Sequence, residues 1–149
     1  MKSVTDPSVL THLIHRLGLL VPTTPRRWGT MTAAEMLCHL GDATTSVLSH
    51  PGGDPGPERP VRKWLALYTS IPWPHGMKTP RSVDPRREGT KPADFETDRT
   101  RAIDGLKSLA TAPPEAFPVA HRRFGRMTPR DWQCWGYRHT DHHLRQFGV

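Results

Sequence analysis

A chain of 149 residues with 35% hydrophobic content and a mean hydropathy of -0.61 can bury one modest core, so residues 1–149 read as a single domain. It has no apolar run long enough to span a membrane, and two cysteines do not make a disulfide scaffold. The net charge of +7 and pI near 10.1 would suit nucleic acid, but the pairs Arg26-Arg27, Arg62-Lys63, Arg86-Arg87 and Arg122-Arg123 fall in or beside expected loops. No basic stripe alternates with aromatics, so the charge reads as a solvated surface that favours an anionic substrate. The start, Met1 to Pro7, lacks the apolar stretch of a signal peptide, and a cytoplasmic protein is expected.

Residues 7–17 read as a first helix, with Val9, Leu10, Leu13, Ile14 and Leu17 at helical spacing before Pro22 and Pro25 break the chain. Thr32-Ala33-Ala34-Glu35 is a capping box, and the helix it opens should run to about Leu48. Met36, Leu40, Ala43 and Val47 form its apolar stripe, with His39 inside it. Residues 50–92 are irregular: Pro51 to Pro57 reads as loop, a short helix is expected over Val61–Tyr68, and Ile71-Pro72-Trp73-Pro74 is extended. So long a connection suits a crossover that runs the length of a bundle and partly covers a site.

A third helix follows Asp94 as N-cap, with Phe95, Ala102, Ile103, Leu106 and Leu109 on one face, and Pro113-Pro114 ends it. The fourth starts at Thr128, with Pro129 in its first position, and runs to about Phe147. Trp28-Gly29-Thr30-Met31-Thr32 and Phe124-Gly125-Arg126-Met127-Thr128 repeat one pattern, aromatic-Gly-x-Met-Thr. The likeness fits either two good helix starts or a pseudo-symmetric pair.

The last helix holds the main chemical signal. His139 and His143 are one turn apart and share a face, so two imidazoles can grip one divalent ion if another helix supplies a third ligand. A His-x-x-x-His pair alone is more often an ordinary hydrogen-bonded pair. His39, however, lies ~10 Å from the start of its helix, while His139 and His143 lie ~12 Å and ~6 Å from the end of theirs. Antiparallel packing of the two helices therefore puts all three at one level, and the trio His39, His139 and His143 is the expected metal site. Trp132, Trp135, Gly136 and Gln146 should share the site's face, with Arg130, Arg138, Asp141 and Arg145 pointing away and His142 at the edge, where it suits a contact to a metal ligand or to substrate. Three neutral ligands leave coordination positions open, the pattern of catalytic zinc. Bound water or thiol there would lose its proton near neutral pH.

Other residues are weaker candidates. Cys38 and Cys134 read as small buried apolar residues, and Cys38 diverges from His39 by about 100° on a helix. His12 and His15 should be surface or rim residues, His50 and His75 should lie in loops, and His121 is a candidate for the site mouth. No catalytic residue is assigned; an acid within reach of a metal-bound water would favour hydrolysis, and Glu35 and Asp42 are the nearest to His39 in sequence.

With His39, His139 and His143 in place, the chain resembles the DinB-like superfamily of metal-binding four-helix bundles. The stretches Trp28 to Leu40, Gly89 to Glu96 and His121 to Val149 look like one branch of it, catalogued mainly as a domain of unknown function. The resemblance covers nearly the whole chain. It implies an all-α, up-down-down-up four-helix bundle with a long Pro/Gly-rich crossover before the third helix, and it carries the family's metal triad onto His39, His139 and His143. It implies zinc or nickel, with iron in some members, a low-molecular-weight thiol as co-substrate in relatives that are S-transferases, hydrolase activity in others, and a homodimer as a common state.

The leading expectation is a metal-dependent thiol (S-)transferase acting on a small molecule, with no specific nucleic acid and no membrane as partner. A metal-dependent hydrolase is the close rival, and a metal- or ligand-binding bundle without turnover is the alternative from another class.

Overall fold

The structure is a computed structural model that describes residues 1–49 and 57–149. Among those residues the regular elements are α1 (Pro7–Gly18), α2 (Ala33–Ser49), α3 (Pro60–Tyr68), α4 (Phe95–Thr111), β1 (Ala120–His121), β2 (Gly125–Arg126) and α5 (Pro129–Gln146). The protein is thus mostly helical, and no described helix is long and apolar enough to cross a membrane. Residues 51–56 of the loop expected over Pro51 to Pro57, and His50 beside it, lie outside the described residues.

The helices fall within a residue or two of their expected ranges because their starts are written locally. The Asp6 carboxylate accepts from Ser8 N at 2.9 Å and that of Asp94 from Thr97 N at 2.8 Å. Thr32 and Thr128 each close a reciprocal box. Glu35 and Asp131 accept from the threonine amides at 2.8 Å, and the threonine hydroxyls accept in return from Glu35 N at 3.2 Å and Asp131 N at 3.1 Å. The hairpin of β1 and β2, which pairs Ala120 with Arg126 and His121 with Gly125, was not expected. Its two-residue strands are too short to show an alternating pattern.

One apolar cluster joins Val4, Leu13, Leu17 and Leu20 to Met36, Leu37 and Leu40 of α2, to Ala102, Leu106 and Leu109 of α4, and to Trp132 and Leu144 of α5. Each fully buried leucine contributes about 2 kcal/mol. Packing of α2 on α4 is unusually close at Gly105, where an added Cβ would lie 2.0 Å from Thr44 Oγ1.

α2 begins where α5 ends: Arg27 N donates to Gln146 O at 2.6 Å and Gln146 Nε2 donates to Trp28 O at 2.8 Å. That is the head-to-tail relation required for three histidines at one level. The connection from α3 to α4 lies over both histidine-bearing helices. Arg138 of α5 donates to Ala66 O of α3 at 2.8 Å and, in the connection, to Ile71 O, while Thr90 donates to Asp42 of α2 through its amide and its hydroxyl, both at 2.7 Å.

This covering corrects the expected polar face of α5. Arg130 and Arg145 are exposed, but Arg138 and Asp141 are buried. Arg138 is enclosed by the connection it anchors, and Asp141 accepts from Arg16 of α1 at 2.7 Å. α5 is a central helix enclosed by its neighbours, and helical periodicity cannot show that when the buried polar residues satisfy one another.

Candidate metal centre

The Thr32 box sets the register of α2 and brings His39 into its buried stretch, while the Thr128 box does the same for His139 and His143 on α5. The ligand nitrogens of His39, His139 and His143 all lie within 4.8 Å of one another. His39 and His139 are buried and His143 is partly so.

Hydrogen bonds behind the rings decide which nitrogens face inward. His39 Nδ1 is 2.7 Å from the carbonyl oxygen of Val83. A carbonyl only accepts, so the His39 hydrogen sits on Nδ1 and its Nε2 carries a free lone pair. His143 Nδ1 is 2.9 Å from Gln146 Oε1, which imposes the same form on His143. The His139 ring stacks on Trp135, with centroids 4.6 Å apart and planes 15° from parallel, which fixes its rotation.

The Nε2 atoms of His39 and His139 are 3.1 Å apart. Two ligands at about 2.05 Å in a tetrahedral zinc site stand about 3.3 Å apart, so the spacing fits a shared ion. Without a cation, the contact needs a hydrogen on His139 Nε2. With one, both nitrogens present lone pairs to it.

Burial lowers the pKa of His39, with the Val83 hydrogen bond opposing. Burial also takes His139 and His143 well below 6.5, reinforced for His139 by His143 and for His143 by His39. All three are therefore neutral near pH 7, the state that binds a metal. The described residues thus form a pre-organised donor set that could hold a metal ion.

Around this set stands an aromatic wall. Trp28 and His75 stack at 4.0 Å with planes 11° apart, and Trp73 lies 6.3 Å from His139 and 5.9 Å from His142. A small cleft of about 30 Å³ opens among Trp28, Trp73, Arg138, Asp141, His142 and Arg145. A larger open groove, about 720 Å³, lies between α2 and α4, and none of the three histidines lines it.

The other expected residues sort clearly. His142 is half-buried at the edge, as expected, and burial takes its pKa down to about 4. His121 sits in β1, stacked on Phe124 at 4.5 Å and 6.3 Å from Trp135, so it backs the wall behind His139 and does not join the trio. His12 and His15 are exposed on α1, and His75 is an exposed loop residue. Burial raises the Cys38 thiol to about 12, with Asp98 adding to it, and also raises Cys134, so neither is a thiolate.

Neither acid nearest His39 in sequence is free. Glu35 accepts from Arg86 at 2.8 Å and closes its capping box, while Asp42 accepts from Thr90 and Arg101. Sequence reasoning did not find the Val83 carbonyl, a backbone group from the crossover that leaves no trace in residue type. It placed Gln146 on the correct face but gave it no role, although spacing i,i+3 from His143 was the available signal.

No family model matches this chain, and no curated protein or solved structure matches it either.

Proposed function

We propose that this protein is a metal-dependent thiol (S-)transferase acting on a small anionic substrate, built on an up-down-down-up, DinB-like four-helix bundle with His39, His139 and His143 as its metal ligands. The observation that carries the reading is the convergence of these ligand nitrogens within 4.8 Å, with His39 and His143 both held in the Nδ1–H form. A divalent ion bound by three neutral imidazoles keeps its full charge and takes the proton from a thiol placed beside it. Arg138 and Arg145 border the cleft, although Arg145 is paired with Asp141 at 2.8 Å and Arg138 donates to the Ala66 and Ile71 carbonyls, and Trp28 and Trp73 supply flat apolar surface.

Transfer is favoured over hydrolysis by the carboxylates. An acid beside a metal-bound water would assist hydrolysis, and no Asp or Glu belongs to the histidine cluster among the described residues. Glu35 and Asp42 are tied to arginines.

The test uses metal-free protein loaded with Co(II) and then titrated with cysteine as the thiol probe. Direct thiolate ligation gives a sulfur-to-cobalt charge-transfer band that saturates with added thiol and is absent from His39→Ala. An unchanged spectrum, with ester or amide hydrolysis by the same sample, would replace the transferase by the hydrolase.

A further inference from the structure

The two aromatic-Gly-x-Met-Thr motifs share backbone geometry. Gly29 has φ 80 and Gly125 has φ 73, both in the left-handed region that favours glycine. Their surroundings differ. An added Cβ at Gly125 would meet backbone, Pro57 O at 2.9 Å, whereas at Gly29 it would lie 2.2 Å from Nε2 of the Gln146 side chain. Gly29 leaves open the space through which the Gln146 amide reaches the chain before α2.

That amide bridges two groups. Its Nε2 donates to the Trp28 carbonyl at 2.8 Å, and its Oε1 lies 2.9 Å from His143 Nδ1. The Trp28 oxygen can only accept, so the NH2 end must face it and the oxygen end must face His143. An oxygen there accepts the Nδ1 hydrogen and leaves Nε2 of His143 as the lone-pair donor. Gln146 is itself pinned, because its backbone oxygen accepts from Arg27 N at 2.6 Å.

We infer that Gln146, seated against Gly29 and oriented by the Trp28 carbonyl, is a positioning residue that fixes His143 in the form whose Nε2 faces the metal site. The first motif then does more than start a helix: it aims a ligand on another helix. The purpose of this arrangement rests on the proposed metal reading, but the arrangement itself can be read in metal-free protein.

The experiment is 15N NMR of the histidine rings in metal-free protein at neutral pH, beside zinc affinity measured by competition with a chromophoric chelator. Wild type should show the His143 hydrogen on Nδ1. Gln146→Leu should lose that preference and bind zinc about 10- to 100-fold more weakly. Gln146→Glu, which keeps an acceptor oxygen, should restore the ring form. Gly29→Ala should resemble Gln146→Leu and serves as the second variant if the first fails to fold. A His143 hydrogen on Nε2 in wild type, or on Nδ1 in both Gln146→Leu and Gly29→Ala, overturns the inference. So does zinc affinity in Gln146→Leu within about twofold of wild type. If wild type binds no zinc, the metal reading fails, and the NMR still decides the positioning role.

Discussion

Acid is a sharp perturbation for the metal-free protein, because its buried imidazoles resist protonation. Burial takes His121 and His142 from 6.5 down to about 4, with Arg123 and Arg122 assisting at His121 and His75 at His142. A displacement of that size is worth about 3 kcal/mol for His121, and about 1–2 kcal/mol for the half-buried His142, where solvent screens part of the effect. The unfolded chain takes up these protons as pH falls through about 6.5, while the folded chain does not until about 4. Unfolding free energy must therefore fall across that window and level off below it, by about 4–5 kcal/mol for the pair. His39, His139 and His143 act in the same direction. A loss of that size is comparable to the whole stability of a small domain, which is about 5–15 kcal/mol. Urea unfolding followed by circular dichroism, with chelator present, at about pH 7 and about pH 4.5 measures the difference. His142→Gln should remove about 1–2 kcal/mol of it. A stability that is flat between the two conditions, or a His142→Gln protein with the full pH dependence, would refute the reasoning.

Gly105→Ala should destabilise by about 1–3 kcal/mol despite the better helix propensity of alanine, and Thr44→Ala in the same chain should recover part of the loss; urea melts of the four proteins give the coupling. Asp131 is buried, but hydrogen bonds from Tyr68, Thr128 and Lys63 outweigh that burial and lower its pKa. Asp131→Asn should cost about 3 kcal/mol, and because the folded pKa is the lower one, the carboxylate's contribution is present above the unfolded value of 3.8 and is lost only as pH falls through the folded value. Cys38 and Cys134 should react with a disulfide reagent only on unfolding; fast modification of the native protein would contradict their burial and raised pKa.

Much of this was legible because it is local. Thr32, Asp94 and Thr128 announce helix starts by side-chain chemistry within three residues, and counting from Thr32 and Thr128 was enough to bring three histidines to one level. What escaped was non-local. The burial of Arg138 and Asp141 follows from partners far away in sequence, Ile71 and Arg16, whose positions only the packed fold supplies. The Val83 carbonyl behind His39 belongs to every residue type alike. Gln146 lay between these cases: its face was readable, but its bond to Trp28 required knowing that α2 begins where α5 ends.

The central claim is that His39, His139 and His143 hold one ion, and metal content tests it most directly. Wild type, His39→Ala and His143→Ala, purified without a nickel column and equilibrated with zinc, should be analysed by mass spectrometry of the metal. The account predicts about one zinc per wild-type chain and little in either variant, with both variants folded. Equal metal content in all three proteins would contradict it.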